Sequence, residues 1–240
     1  MKIFPAIDIK DKKCVRLVKG DFNNKIEYEM SPIDQAGKYK DHGFKNLHIV
    51  DLDGALAGEI VNLDIIQKIV SKFDLKIEVG GGVRSIESIK KYTDVGVEKV
   101  ILGSAAIKDK NFLKDACKKF PDKIALGLDA KDGYLSVSGW KENSNQLTLE
   151  YLKEVNDFGA SRLIYTDINR DGMKQSPNFD ETSKVADVSN CPVVISGGVS
   201  SIDDIKKAKG LNNNIEGIIV GKAIYDGDIK LEELVKELDA

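Results

Sequence analysis

The sequence predicts an α/β fold, a (β/α)8 barrel of the TIM type built from two repeated (β/α)4 halves. Three observations lead there. Eight short apolar runs rich in β-branched residues alternate with eight amphipathic stretches. The runs are apolar at successive positions, as strands buried on both faces of a parallel sheet are. Segments of the first half recur in the second at a nearly constant offset. Alternation alone also allows a doubly wound open sheet. The repeat favours closure, because two four-strand halves pair into one ring and neither half closes alone.

The expected strands are Lys2–Ile9, Asn46–Asp51, Lys76–Val79, Lys99–Leu102, Lys123–Asp129, Arg162–Asp167, Pro192–Ile195 and Gly217–Val220. Between and after them, apolar residues at three- and four-residue spacing predict helices over Ile33–Asp41, Leu63–Ser71, Ile86–Thr93, Asn111–Lys119, Leu147–Asp157, Asp180–Asp187, Ile202–Ala208 and Leu231–Leu238. Ser85, Ser201 and Thr148 stand where N-caps or first-turn residues belong. The stretches Lys10 to about Met30 and Ala130 to about Gln146 exceed ordinary βα-connection length and are read as long loops at the C-terminal mouth of the barrel. The first carries Arg16, Lys19 and Asp21; the second carries Gly139 and Trp140, the only tryptophan, among Ser136, Ser138, Lys141 and Glu142. Trp140 either anchors its loop or stacks on a ligand.

The repeat is plainest where Gly80–Lys91 is set over Ser196–Lys207: eight of twelve positions are identical, at an offset of 197 − 81 = 116. At that offset Gly43 meets Gly159, Leu47 meets Leu163 and Asp51 meets Asp167; Asp8 to Asp11 echoes Asp129 to Asp132 at an offset of 121. The chain is therefore read as one domain, 1–240, with halves of about 1–120 and 121–240 and no linker.

Composition narrows the function. A hydrophobic content of 42% excludes disorder, and a formal charge of 36 − 39 = −3 excludes a bulk polyanion binder, so no nucleic-acid partner is expected. No window approaches the ~18 apolar residues of a membrane span, and the N-terminus is not a signal peptide. Cys14, Cys117 and Cys191 are scattered and read as reduced thiols of a cytoplasmic protein. With two histidines and no metal-ligand spacing, neither a metal nor another cofactor is expected. Barrel closure makes a monomer the expected state.

Four glycine sites follow the third, fourth, seventh and eighth strands: Gly81 and Gly82, Gly103 with Ser104, Gly197 and Gly198, and Gly221 with Lys222. Glycine lets the main chain approach an anion, and free N–H groups at a helix start point toward it. The repeated register sets two phosphate cradles on opposite sides of the ring, which implies a small-molecule substrate with a phosphate at each end; plain turn glycines are the alternative. Asp8 and Asp129 end opposed strands and suit acid–base work if one is protonated while the other is ionised. A lone Asp there would cap the following loop; the pairing across the repeat favours chemistry. Asp51 and Asp167 are expected to pair with mouth cations such as Arg84 or Arg170, Thr166 to hydrogen-bond near the reacting atoms, and His48 to be a satisfied core histidine.

Taken together, Pro5-Ala6-Ile7-Asp8, Val15-Arg16-Leu17, His48 to Ala55, Gly80-Gly81-Gly82-Val83-Arg84, Leu102 to Ala106, Gly139-Trp140, Tyr165 to Met173, Ser196-Gly197-Gly198-Val199 and Val220-Gly221-Lys222-Ala223 resemble the phosphoribosylformimino-aminoimidazole-carboxamide ribotide isomerases of histidine biosynthesis, over nearly the whole chain. The related cyclase family shares the doubled barrel, but typically has a Cys-Leu-Asp-Val first strand and an Asn-Thr pair after the fourth; here these places read Ala6-Ile7-Asp8-Ile9 and Gly103-Ser104. The resemblance implies an Amadori rearrangement of a bis-phosphorylated aminoaldose without a cofactor. It implies Asp129 as general acid, Asp8 as general base, Thr166 as orienting group and Trp140 as cover. Arg16, Arg84 and Asp171 join the glycine sites as substrate-binding residues. A dual-substrate isomerase that also takes phosphoribosylanthranilate remains an alternative.

Overall fold

Strand register closes the ring. The computed structural model describes residues 1–18, 20–140, 142–211 and 214–238. Among them the chain forms β1 (Lys2–Lys10), β2 (Lys13–Val18), β3 (Asp21–Glu27), β4 (Asn46–Asp51), β5 (Lys76–Gly80), β6 (Lys99–Leu102), β7 (Ile124–Lys131), β8 (Tyr134–Val137), β9 (Glu142–Leu147), β10 (Arg162–Asp167), β11 (Val193–Ser196) and β12 (Ile215–Val220). Eight of these pair in parallel in the order β1-β4-β5-β6-β7-β10-β11-β12, and β12 returns to β1. This is the expected (β/α)8 barrel.

Side-chain alternation explains why its strands read as unbroken apolar runs. Along β1, Ile3, Ile7 and Ile9 join the layer between strands and helices, while Phe4 and Ala6 turn into the barrel. Inside, Phe4 and Ala6 meet Ala125, Ile164, Val194 and Ile219 in an apolar plug. Each of the larger side chains among these, such as Ile7, Phe4 or Ile164, contributes about 1.5–3 kcal/mol by leaving water, so both faces of the strand favour apolar residues.

The expected helices form with shifts of a few residues at their ends, for example Ile86–Asp94 and Ile202–Lys209. Ser85 accepts the Ser88 N–H at 3.2 Å and starts the first of these. The second starts from Ser201, whose N–H is accepted by Asp204 at 3.2 Å. Thr148 is the first residue of its helix, Thr148–Val155, and Leu147 belongs to β9 instead. Short helices Leu52–Ala57, Ser104–Lys108 and Lys222–Tyr225 follow β4, β6 and β12; at four to six residues they are too short to show a helical period.

The two long loops are antiparallel hairpins. β2 folds back on β1 with Asp8 beside Val15, and β8 folds back on β7 with Ala130 beside Leu135. Asp11 and Lys12 (φ 52° and 62°) turn the first, and Asp132 and Gly133 (φ 53° and 81°) turn the second. Two central residues at positive φ match the twist of a two-residue hairpin. These strands mix buried residues (Cys14, Val15, Leu135, Val137) with polar ones over a few positions, so no single periodicity reveals them.

Candidate active site

The C-terminal ends of the barrel strands and the two hairpins enclose the mouth. Asp8 on β1 and Asp129 on β7 face each other with three strands between them on either side of the ring. Their surroundings differ. Asp8 is ion-paired with Arg16 of β2 at 2.7 Å. Arg16 also donates to the Ala6 carbonyl at 2.8 Å and lies over the Tyr225 ring, 5.3 Å from its centroid. Burial works against the Arg16 charge, but Asp8 outweighs it and holds the guanidinium protonated. Asp129 has no such cation. Burial raises its pKa, against hydrogen bonds from Trp140 and Thr166. The Trp140 indole N–H donates to it at 2.8 Å, and Thr166 is its register partner on β10.

Trp140 ties the two hairpins together. An added Cβ on Gly20, in the turn between β2 and β3, would stand 2.2 Å from the indole ring, so that turn lies against the tryptophan. The second hairpin is held to the loop after β6: Ser138 N–H donates to the Ser104 hydroxyl at 3.0 Å, and the Lys108 ammonium donates to Ser138 at 2.8 Å. Trp140 thus anchors its loop in this structure through a bond to the very carboxylate it covers. Lys19 and Lys141 lie outside the described residues.

Asp171, in the segment after β10, completes a carboxylate cluster. Burial pushes it up to about 6; Arg16 and His48 pull it down, while the Asp8 and Asp129 charges add to the rise. Asp171 therefore costs stability when ionised. Between the ordinary carboxylate value near 3.8 and about 6, the folded state keeps a proton that the unfolded chain releases, so this contribution to stability falls as pH rises through that window. Asp171→Asn is expected to remove that fall and to raise stability at pH 7.5 by about 1–3 kcal/mol. Urea unfolding at pH 4.5 and 7.5 checks this; an unchanged pH slope in the variant would count against it.

The glycine sites sit where the repeat places them. Gly81 (φ 104°) and Gly197 (φ 88°) lie against the Asp51 and Asp167 carbonyl oxygens, where an added Cβ would come within 2.1 and 2.9 Å. Gly82 and Gly198 follow directly, and Gly103 and Gly221 cap the short helices after β6 and β12. The Arg16 guanidinium lies on Gly221, so the first hairpin reaches one glycine loop as the second reaches Ser104. Arg84 is exposed and lies beside Gly58, with a long contact to the Ala55 carbonyl. The Lys222 ammonium is held by Asp226 four residues on, a residue that Lys174 also reaches at 2.8 Å.

One expectation is corrected. Asp51 and Asp167 do not pair with Arg84 or Arg170. Asp51 is fully buried and accepts from the N–H groups of Gly54, Val61 and Asn62 and from the Asn62 amide, at 2.7–2.9 Å. Asp167 accepts from Asn169 N–H at 2.9 Å and from the Asn178 amide at 2.6 Å. Arg170 instead clamps the Gln175 and Ser176 carbonyls of its own loop. A buried carboxylate is satisfied more cheaply by preorganised backbone N–H groups than by a mobile mouth cation. Asn62 and Asn178 were not singled out from the sequence, although 178 − 62 = 116, the offset of the repeat. His48 is a bonded core histidine, as expected: its Nδ1 lies 2.7 Å from Glu78. Among the described residues no group of three or more His, Cys, Asp or Glu is placed to hold a metal ion.

An eight-stranded parallel barrel with opposed carboxylates and glycine loops at its mouth defines a (β/α)8-barrel enzyme of small-molecule chemistry. The chain belongs to the family described as histidine biosynthesis protein, which matches residues 2–230. It is 88% identical, over the full length of both chains, to the 1-(5-phosphoribosyl)-5-((5-phosphoribosylamino)methylideneamino)imidazole-4-carboxamide isomerase of Pelagibacter ubique. Relatives with the same name include those of Clostridium novyi, 46% identical over 98% of each chain, and Oceanobacillus iheyensis, 44% identical over the full length of each. Among the described residues no helix is long and apolar enough to cross a membrane.

Proposed function

We propose that this chain catalyses the same isomerisation: the Amadori rearrangement of the aminoaldose, phosphoribosylformimino-aminoimidazole-carboxamide ribotide, to its aminoketose. The observation that carries this reading is the unequal setting of two opposed carboxylates. Asp129, whose proton affinity burial raises, is suited to give a proton. Asp8, beside the Arg16 charge, is suited to take one. Asp129 protonates the ribose ring oxygen, the C1–O bond breaks, and the amine nitrogen's lone pair forms a protonated imine. Asp8 then removes the C2 proton; that bond's electrons become the C1–C2 double bond, and the imine π pair returns to nitrogen. The enolamine takes a proton at C1 and loses the one on the C2 oxygen, leaving a ketone. C1 is reduced as C2 is oxidised, so no outside redox partner enters. Thr166 orients the reacting carbons, and Trp140 excludes water. Asp171, Arg16 and Arg84 bind substrate.

The phosphates are assigned to the loops of Gly81, Gly82, Gly103 and Ser104 on one side and of Gly197, Gly198, Gly221 and Lys222 on the other. The matching backbone turns at Gly81 and Gly197 support two like cradles, and the matching Asp51–Asn62 and Asp167–Asn178 bonds support two half-barrels. The free thiols Cys14, Cys117 and Cys191 suit a cytoplasmic enzyme, and ring closure suits a monomer. Purified protein is expected to turn over the aminoaldose, and a product analogue lacking either phosphate is expected to bind at least ~10-fold more weakly, about 1.4 kcal/mol. Isothermal titration and a turnover assay, run beside phosphoribosylanthranilate, check both. No turnover of the aminoaldose, or equal binding of the truncated analogues, would refute the reading.

A further inference from the structure

We propose that Glu78 is a positioning residue for this isomerisation: it fixes the His48 imidazole beneath the mouth carboxylates, and Arg162 holds Glu78 in place from across the barrel. The proposal rests on the function proposed above and deepens it.

Glu78 lies inside the ring at 1% exposure, on β5, in register with His48 on β4. Its two oxygens face different partners. Oε1 is 2.7 Å from His48 Nδ1, and Oε2 accepts from Arg162 Nη1 of β10 at 2.7 Å. Arg162 stacks on Phe4, 4.9 Å from the ring centroid, and its Nε donates to Glu216, which Lys2 also holds. A charged chain thus runs through the barrel interior beside the apolar plug and ends on the imidazole.

The groups facing His48 make the connection to the mouth. Its β1 register partner is the uncharged Ala6, and Asp8 stands one pleat higher. Glu78 lies on the β5 side, with Arg162 behind it. Toward the mouth, Asp8 of β1 is thus the carboxylate set directly above the level of His48, with Asp129 of β7 opposite it across the ring. A carboxylate on Nδ1 fixes which ring nitrogen carries the proton and how the ring is turned. Stability alone is a weak reason for such an arrangement, since replacing a buried ion pair with apolar side chains is often neutral or stabilising.

The test compares Glu78→Gln, His48→Gln and the double variant for kcat, KM and the pH dependence of kcat. Glu78→Gln is expected to lower kcat at least ~10-fold with KM within about 3-fold, and to move the pH profile. Glu78→Asp should recover part of the loss. The double variant should be no worse than His48→Gln, because Glu78 acts through His48. A folded Glu78→Gln protein with unchanged kcat and pH profile, or fully additive losses, overturns the proposal. The ring ¹⁵N shifts of His48 in the unaltered protein give a reading free of folding and of substrate. A proton on Nδ1 from pH 6 to 8 supports the proposal, and a proton on Nε2 alone overturns it. Absence of turnover in the unaltered enzyme would instead strike the proposed function and leave the ¹⁵N result standing.

Discussion

Asp129→Asn is expected to lower turnover of the aminoaldose by about 10²–10⁴-fold, the usual worth of a positioned acid or base. The carboxamide keeps the side chain's shape, and its oxygen still accepts from the Trp140 indole, so the loop remains covered. What it lacks is a proton to give to the ring oxygen. Ligand affinity should therefore stay within a few-fold while kcat falls. Asp8→Asn should cause a loss of similar size for a different reason. The amide cannot take the C2 proton, and it leaves the Arg16 guanidinium facing a neutral partner over Gly221. Single-turnover rates and product-analogue binding for both variants separate these effects. If both lose less than ~10-fold, about 1.4 kcal/mol of barrier, the acid–base assignment fails.

Asp51→Ala is expected to cost about 3–5 kcal/mol of folding stability, as losses from buried charged networks do. Its carboxylate satisfies three backbone N–H groups and the Asn62 amide at 0% exposure, and each orphaned donor is costly. At about 2–4 °C per kcal/mol for a chain of this size, the melting temperature should fall by roughly 6–20 °C. Arg84→Ala is the contrast: the side chain is exposed, lies beside Gly58 and makes a long contact to the Ala55 carbonyl, so stability should move by less than about 0.5 kcal/mol. Differential scanning calorimetry of the two variants decides it. Equal, small shifts would mean that Asp51 does not hold the loop after β4. Because the Asp51 carbonyl lies against Gly81, the same variant should also loosen the glycine loop after β5.

Particular elements show what was legible. β4, β6 and β10 carry the expected boundaries, because a parallel strand covered on both faces announces itself by apolar residues at adjacent as well as alternate positions. The helices Ile86–Asp94 and Ile202–Lys209 were visible through both periodicity and their serine caps. The hairpins were not, since a strand such as Glu142–Leu147 is polar up to its last residue and is ordered by ladder bonds rather than burial. Asp132-Gly133 was the available clue, an Asp-Gly pair of the kind that turns a two-residue hairpin. The sequence shows Asp51 and Asp167 as repeated acids but does not show their partners. Their donors, Asn62 and Asn178, lie 11 residues further on, and side-chain amides carry no periodic signal.

By itself the sequence determined the barrel, the duplication of its loops and the carboxylates on opposed strands, because local periodicity and self-similarity survive in one dimension. Tertiary structure alone decided the electrostatic difference between Asp8 and Asp129, the closure of Trp140 onto one of them, and the chain from Lys2 through Glu216, Arg162 and Glu78 to His48. Each of these depends on which side chains from distant strands share a desolvated space. Charge interactions of that kind follow distance and burial, and neither is a property of position along a chain.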